Sequence, residues 1–225
     1  MPKAALVTGG SSGIGLAIAR VLREEGFDLT LAARTPEKLE AAAAETGALA
    51  VAANVADEAD CRRVVDEHRE RHGRLDVLVN SAGVGIAGPI DELPLRHLDL
   101  QLDVNLRGVM LVTAAGLPLL RDARGLVVNI ASLAGTIPSP SLPAYGASKA
   151  AVIQFTKTLN RAEERHGVRA TALSPGFVDT PMTEWAPVAR EEMIRPEDCA
   201  ESVRMLLRLS PYACIPHIVI ERVSG

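Results

Sequence analysis

The sequence predicts an α/β fold: a single domain built on one doubly wound, seven-stranded parallel sheet with helices on both faces. Short apolar or β-branched runs alternate with longer stretches of helical period along the whole chain, the pattern of strands joined by crossover helices. Several of those runs are apolar at consecutive positions, as strands covered on both faces are. With 225 residues and a 48% hydrophobic share, the chain is near the size at which one continuous core still serves.

Taken in order, Ala4–Thr8 is an unbroken apolar run that ends in a cluster of Gly and Ser, hence a strand and a turn. A helix over Gly13–Glu25 follows it, then the strand Asp28–Ala33 and a helix over Pro36–Glu45 that opens on proline, a first-turn residue. The strand Leu49–Asn54 precedes a helix over Glu58–His72, which starts just after Asp57. Val77–Asn80 and Leu126–Ile130 are strands separated by a long helix over Leu95–Leu120. The last units are a helix over Tyr145–His166, the strand Ala170–Leu173, a helix over Pro196–Leu209 and the strand His217–Ile220. Right-handed crossovers stack such helices on both faces. Periodicity lapses only over Ile137–Pro143 and Pro175–Arg195, which both follow strands and so lie at the sheet's carboxyl edge. Ligands bind at that edge in open α/β sheets.

Composition excludes several roles. A net charge of −4, with acidic residues interleaved among the arginines, offers no basic surface for nucleic acid. No apolar run reaches the length of a bilayer span, so a cytoplasmic protein without membrane contact is expected. Cys61, Cys199 and Cys214 are odd in number and unpaired in spacing, which reads as reduced structural thiols and no zinc site. His68 and His72 lie four apart among alternating charges without a metalloprotease order, so this helix face is read as solvated and no metal is expected.

Thr8-Gly9-Gly10-Ser11-Ser12-Gly13-Ile14-Gly15 joins the first strand to a helix. Without Cβ atoms the backbone turns tightly and approaches a pyrophosphate, whose charge meets amides and the positive helix end. The spacing, Gly-x-x-x-Gly-x-Gly, departs from the ordinary dinucleotide fingerprint. The second strand ends at Ala33-Arg34-Thr35, without the acid that reads a ribose 2′-hydroxyl. Arg34, with Lys38 nearby, suits a 2′-phosphate, so NADP is expected in preference to NAD.

Tyr145 and Lys149 are four apart and project from one helix face. An ammonium beside a phenol stabilises the phenolate and draws its pKa toward the working range, which would fit Tyr145 for acid–base catalysis. Taken alone, the pair reads more readily as an ordinary surface Tyr–Lys contact; its company reverses that.

That company resembles the short-chain dehydrogenase/reductase family, a Rossmann fold. The glycine turn, Asn80-Ser81-Ala82-Gly83, Asn105, Ser132, Tyr145-x-x-x-Lys149 and Pro175-Gly176 occur in the family's order over nearly the whole chain. The resemblance implies an NAD(P)-dependent oxidoreductase acting on a small carbonyl or alcohol. Tyr145 is then the general acid or base, Ser132 binds the substrate oxygen, Lys149 also holds the nicotinamide ribose, and Asn105 anchors a relay water. It further implies cofactor contacts from Gly9, Ser11, Ser12, Gly13, Ile14, Gly15, Arg34, Asn54, Val55, Asn80, Ala82, Gly83, Tyr145, Lys149, Pro175, Gly176, Val178 and Thr180. Ser81 stands where the family often has a second Asn, and Asn54 where an Asp commonly reads the adenine amine. The ending Ile215–Ile220 is similar to the NADP-linked hydroxy-acid branch more than to acyl-carrier-protein reductases. In relatives the two long helices form a bundle between subunits, so a homotetramer or dimer is expected. A substrate lid is expected over 176–195, with apolar contacts from Phe177, Met182, Trp185 and Met193. The alternative is a catalytically idle NAD(P)-sensing module of the same fold, which would need none of Asn105, Ser132, Tyr145 and Lys149.

Overall fold

The computed structural model describes residues 2–223. Seven parallel strands form one sheet in the order β3-β2-β1-β4-β5-β6-β7: β1 (Ala4–Thr8), β2 (Asp28–Ala33), β3 (Leu49–Ala52), β4 (Val77–Asn80), β5 (Leu126–Ile130), β6 (Arg169–Pro175) and β7 (His217–Ile220). The strand order reverses between β1 and β4, which opens a crevice at their carboxyl ends. Two strands differ in their bounds from expectation, β3 at its end and β6 at both ends. β3 stops at Ala52, and beyond it the Asn54 side chain turns the backbone by accepting the Ala56 N–H at 3.2 Å. β6 runs on to Pro175 beside Ile220, and the Gly176 N–H then donates to the Ile220 carbonyl at 2.9 Å.

The helices are α1 (Gly13–Glu24), α2 (Pro36–Thr46), α3 (Glu58–His72), α4 (Leu95–Leu102), α5 (Gly108–Ala123), α6 (Pro143–Glu163) and α7 (Pro196–Leu207). Alternate residues of each strand feed opposite faces. Ala5 and Val7 of β1 pack with Ile18 and Leu22 of α1 and Val203 of α7, while Leu6 packs with Val64 of α3, Leu120 of α5 and Leu159 of α6. The long central helix, expected as one continuous element, is interrupted by a π-helical turn over Asp103–Arg107. The 29-residue run Leu95–Ala123 is long and apolar enough, by length and composition, to cross a membrane. The charged residues scattered along it hide this in the sequence. In the fold, Val104, Val109, Val112 and Leu120 are buried in the core, whereas Leu100, Leu102 and Met110 stand exposed.

The solvated face expected for α3 fails at His68, which is fully buried against the sheet. Its Nδ1 lies 2.8 Å from Thr30 Oγ1 and its Nε2 2.9 Å from the Arg74 carbonyl. A carbonyl only accepts, so Nε2 carries the proton and Nδ1 accepts from Thr30. Burial pushes His68 down to about 4. Cys61 and Cys199 are buried free thiols, raised by burial to about 11 and about 12, and Cys214 is an exposed free thiol. Among the described residues no cluster of His, Cys, Asp or Glu could hold a metal ion.

Candidate active site

The glycine turn folds flat because side chains would not fit. Gly9 sits at φ +67°, and a Cβ there would lie 2.7 Å from the Ala82 nitrogen; a Cβ on Gly15 would lie 2.3 Å from the Gly9 carbonyl oxygen. The turn is thereby pressed between the start of α1 and the Ser81-Ala82 backbone that follows β4. No side chain caps the N-terminus of α1, leaving its leading amides and positive end at the crevice. Thr180 leans on the turn from the segment that follows β6, its Cγ2 3.0 Å from the position a Gly13 Cβ would take. Val178 is buried and bridges to Ile194, which ties together the two ends of the segment between β6 and α7.

Arg34 is exposed just past β2, whose Ala32 carbonyl accepts the Gly9 N–H at 2.8 Å. Among the described residues, neither Arg34 nor Lys38 makes an ion pair. Val55 is buried. Asn54 is exposed, with its Oδ1 engaged by Ala56 and its N–H donated to Asp60 at 2.8 Å. That backbone hydrogen bond, with Arg63, holds the Asp60 carboxyl below its ordinary value. Asn80 is buried and turns sideways, donating to Thr113 Oγ1 at 3.1 Å and Asn129 Oδ1 at 2.8 Å, while its own Oδ1 has no partner among the described residues. Its neighbours Ala82 and Gly83 line the crevice between the glycine turn and Lys149.

Ser132 follows β5, and Tyr145 stands in the first turn of α6. A Cβ on Gly135 would lie 2.8 Å from the Ala150 nitrogen and the Lys149 carbonyl carbon, so only glycine lets the short turn Leu133–Gly135 lie directly on α6. This brings the Ser132 hydroxyl beside that of Tyr145. The Ser132 oxygen also accepts the Ala134 N–H at 3.2 Å. Lys149 is buried, donates to the Ile130 carbonyl at 2.7 Å and lies 5.7 Å from the Tyr145 ring centroid. Desolvation pushes it down to about 8.

Burial raises the Tyr145 hydroxyl above its ordinary value, and the hydrogen bond from Ser132 pulls it part of the way back. The lowered phenol expected from the Tyr–Lys spacing is therefore reversed, because removing phenolate from water outweighs the stabilisation around it.

Asn105 sits in the π-helical turn and is fully buried. Its carboxamide accepts the Val84 N–H and donates to the Val84 carbonyl, both at 2.8 Å, and it also donates to Ser148 Oγ at 3.1 Å. Ser148 in turn donates to the Tyr145 carbonyl at 2.7 Å. Asn105 Oδ1 and Lys149 Nζ converge on Gly83, lying 3.4 and 3.5 Å from the position its Cβ would take. A separate cleft of about 420 Å³ at the amino edge, lined by Asp28, Leu29, Gly47, Arg71 and His72, contains none of these groups.

Residues 3–190 match the family model described as short chain dehydrogenase. The chain belongs to the short-chain dehydrogenase family. An uncharacterized oxidoreductase of Staphylococcus epidermidis is 34% identical over 224 residues, spanning 98% of this chain and 97% of its own. An alcohol dehydrogenase from the archaeon Thermococcus sibiricus, complexed with 5-hydroxy-NADP, superposes with a TM-score of 0.90 at 31% identity, over 97% of this chain and 95% of that one. A 3-ketoacyl-(acyl-carrier-protein) reductase from Brucella melitensis, complexed with NADH, gives a TM-score of 0.91 at 29% identity, over 97% and 96%.

Two residues that shape the dehydrogenase site escape a reading of the sequence. Ser148 ties Asn105 to the Tyr145 backbone and is concealed inside Tyr145-Gly146-Ala147-Ser148-Lys149; its spacing of three from Tyr145 was the available signal. Gly135 gives no signal, because its importance comes from a helix that begins eight residues later.

Proposed function

We propose that the chain transfers hydride between a nicotinamide cofactor, NADP in preference to NAD, and a carbonyl or secondary alcohol, with Tyr145 as general acid in reduction and base in oxidation. The observation that carries this is the convergence of Ser132, Tyr145, Lys149 and Asn105 next to an uncapped, glycine-lined helix start. That turn fits a dinucleotide: a Cβ at Gly9 or Gly15 would collide with backbone, and the helix end offers amides to pyrophosphate. Gly9, Ser11, Ser12, Gly13, Ile14 and Gly15 would hold the pyrophosphate, Arg34 the 2′-phosphate, and Asn54, Val55 and the Asn80–Gly83 segment the adenosine side. Lys149, Pro175, Gly176, Val178 and Thr180 would hold the nicotinamide side. When bound, the cofactor supplies or accepts the hydride.

In reduction the Tyr145 hydroxyl gives its proton to the substrate oxygen. The raised pKa keeps that hydroxyl protonated at neutral pH, which suits the donor role. Ser132 donates a hydrogen bond, and the Lys149 ammonium opposes the charge left on the phenol. Asn105 is held by Val84 and Ser148, which directs the remaining lone pair of Oδ1 toward Gly83 and Lys149, where a relay water would lie. A Ser132 hydroxyl set beside that of Tyr145, next to a buried ammonium, has no use in a binding-only module, which disfavours the sensing alternative.

The chain would act as one NAD(P)-binding domain, residues 1–225, with 176–195 as substrate lid. Its free thiols suit the reducing cytoplasm. The exposed Leu100, Leu102 and Met110 support a homotetramer or dimer; sedimentation showing only a 23.8 kDa species rejects that assembly. The decisive test is a carbonyl and alcohol panel with NADPH, NADH and their oxidised forms, read at the nicotinamide absorbance. Tyr145→Phe should lower turnover by at least about 100-fold, and parent-like turnover of any active substrate overturns the assignment.

A further inference from the structure

The backbone segments bordering the catalytic groups contain no base: residues 81–94, 131–144 and 176–189 have no Lys, Arg or His. They do contain Asp91, Glu92, Asp179 and Glu184. The arginines around the lid are taken. Arg190 pairs with Asp179 at 2.7 Å, Arg195 with Asp198 at 2.9 Å and Arg222 with Glu192 at 3.3 Å. Lys149 donates to the Ile130 carbonyl, and in the proposed reaction its charge serves the phenol and the cofactor. The lid presents apolar groups toward the same place. The Met182 sulfur and the Tyr145 ring border one point over Gly85, 3.7 and 3.6 Å from where a Cβ would sit, and Met182 Cε lies 3.9 Å from the equivalent point on Gly83. Leu133 reaches within 3.7 Å of the Cβ position of Gly176. Phe177 and Trp185 pack edge to face at 6.3 Å, and Trp185 and Met182 remain 49% and 39% exposed, so apolar surface is available for contact.

We infer that this site takes neutral, apolar ketones and the matching secondary alcohols and discriminates against carboxylates, with Met182 contacting the group beside the reacting carbonyl. The inference rests on the oxidoreductase reading above. A carboxylate next to the carbonyl would leave water for methionine sulfur and leucine, with no cation in the bordering segments to pair it. In the reaction, hydride from NADPH forms the new C–H bond as the carbonyl π bond breaks, and the Tyr145 proton goes to oxygen, yielding NADP⁺ and a neutral secondary alcohol. The hydroxy-acid branch suggested by the chain's ending is thus disfavoured by the lack of a cation in the segments bordering the pocket.

Methyl benzoylformate and benzoylformate share the ring and reacting carbonyl and differ by one charge, so they form the test pair. Trp185 is the chain's only tryptophan, and its emission in the presence of NADP⁺ reports lid occupancy without requiring turnover. The ester should bind at least about tenfold more tightly than the acid, and NADPH consumption should favour it by at least as much. Acid binding within about tenfold of the ester, or no response to either, overturns the inference. Ester binding without NADPH consumption leaves the pocket chemistry standing and sinks the oxidoreductase reading instead. Met182→Arg should narrow the ester-to-acid ratio by about tenfold or more by supplying the missing cation, and an unchanged ratio removes Met182 from the pocket.

Discussion

Lys149 offers the most direct test of the site, because its burial makes stability depend on pH in a window of its own. Desolvation moves the ammonium from its ordinary 10.5 to about 8. Between those values the unfolded chain holds a proton that the folded chain has lost, so stability rises with pH there. Each unit is worth about 1.4 kcal/mol, and between pH 7 and pH 10 the integrated gain is roughly 2–3 kcal/mol. The perturbation is Lys149→Met, which removes this titration and leaves the other titrating side chains in place. Guanidinium melts at fixed protein concentration, followed by far-ultraviolet circular dichroism, supply the readout. With a denaturant slope of roughly 5 kcal/mol per molar, the parent midpoint should gain about 0.5 M more than the variant's across that pH range. Midpoints that move in parallel, within about 0.1 M, would refute the claim that a strained ammonium sits beside Tyr145.

The remaining predictions concern groups outside that pair. Arg34→Ala should lower the NADPH-to-NADH ratio of kcat/KM by about tenfold or more, because a charge-assisted hydrogen bond to a 2′-phosphate is lost; an unchanged ratio assigns that phosphate to another group. His68, held neutral in the fold down to about 4, should cost the parent about 2–3 kcal/mol of stability between pH 7 and pH 4, since only the unfolded chain gains a proton as pH falls. His68→Gln should flatten that acid limb in urea melts, and an identical limb in both proteins would show that His68 is not its source.

The sheet was legible because its central strands are buried on both faces and declare themselves as apolar runs; β1, β2, β4 and β5 have the expected bounds, as does the half-buried edge strand β7. Errors arose where a side chain overrode the pattern. Asn54 ends β3's neighbourhood in a turn through its own amide. Neighbouring charges made His68 look solvated, although the hydroxyl that receives it lies on β2, far away in sequence. The π-helical turn at Asp103–Arg107 left no visible mark either, since its residues still follow an approximately helical apolar spacing.

The candidate site divides along the same line, between chemistry and placement. Tyr145 and Lys149 could be found because proton transfer needs particular functional groups, and a helix keeps groups four apart on one face. What places them is mostly backbone. Gly135 lies against Ala150 and Lys149, Gly9 lies against Ala82, and Asn105 reaches Val84 across the loop that follows β4. Such contacts are made between segments distant in sequence and leave no local spacing to recognise. The reversed pKa of Tyr145 follows from the same division. Spacing foretells that an ammonium will be near the phenol, but the sign of the shift depends on how much water the fold removes from both, and that is set by packing rather than by any motif.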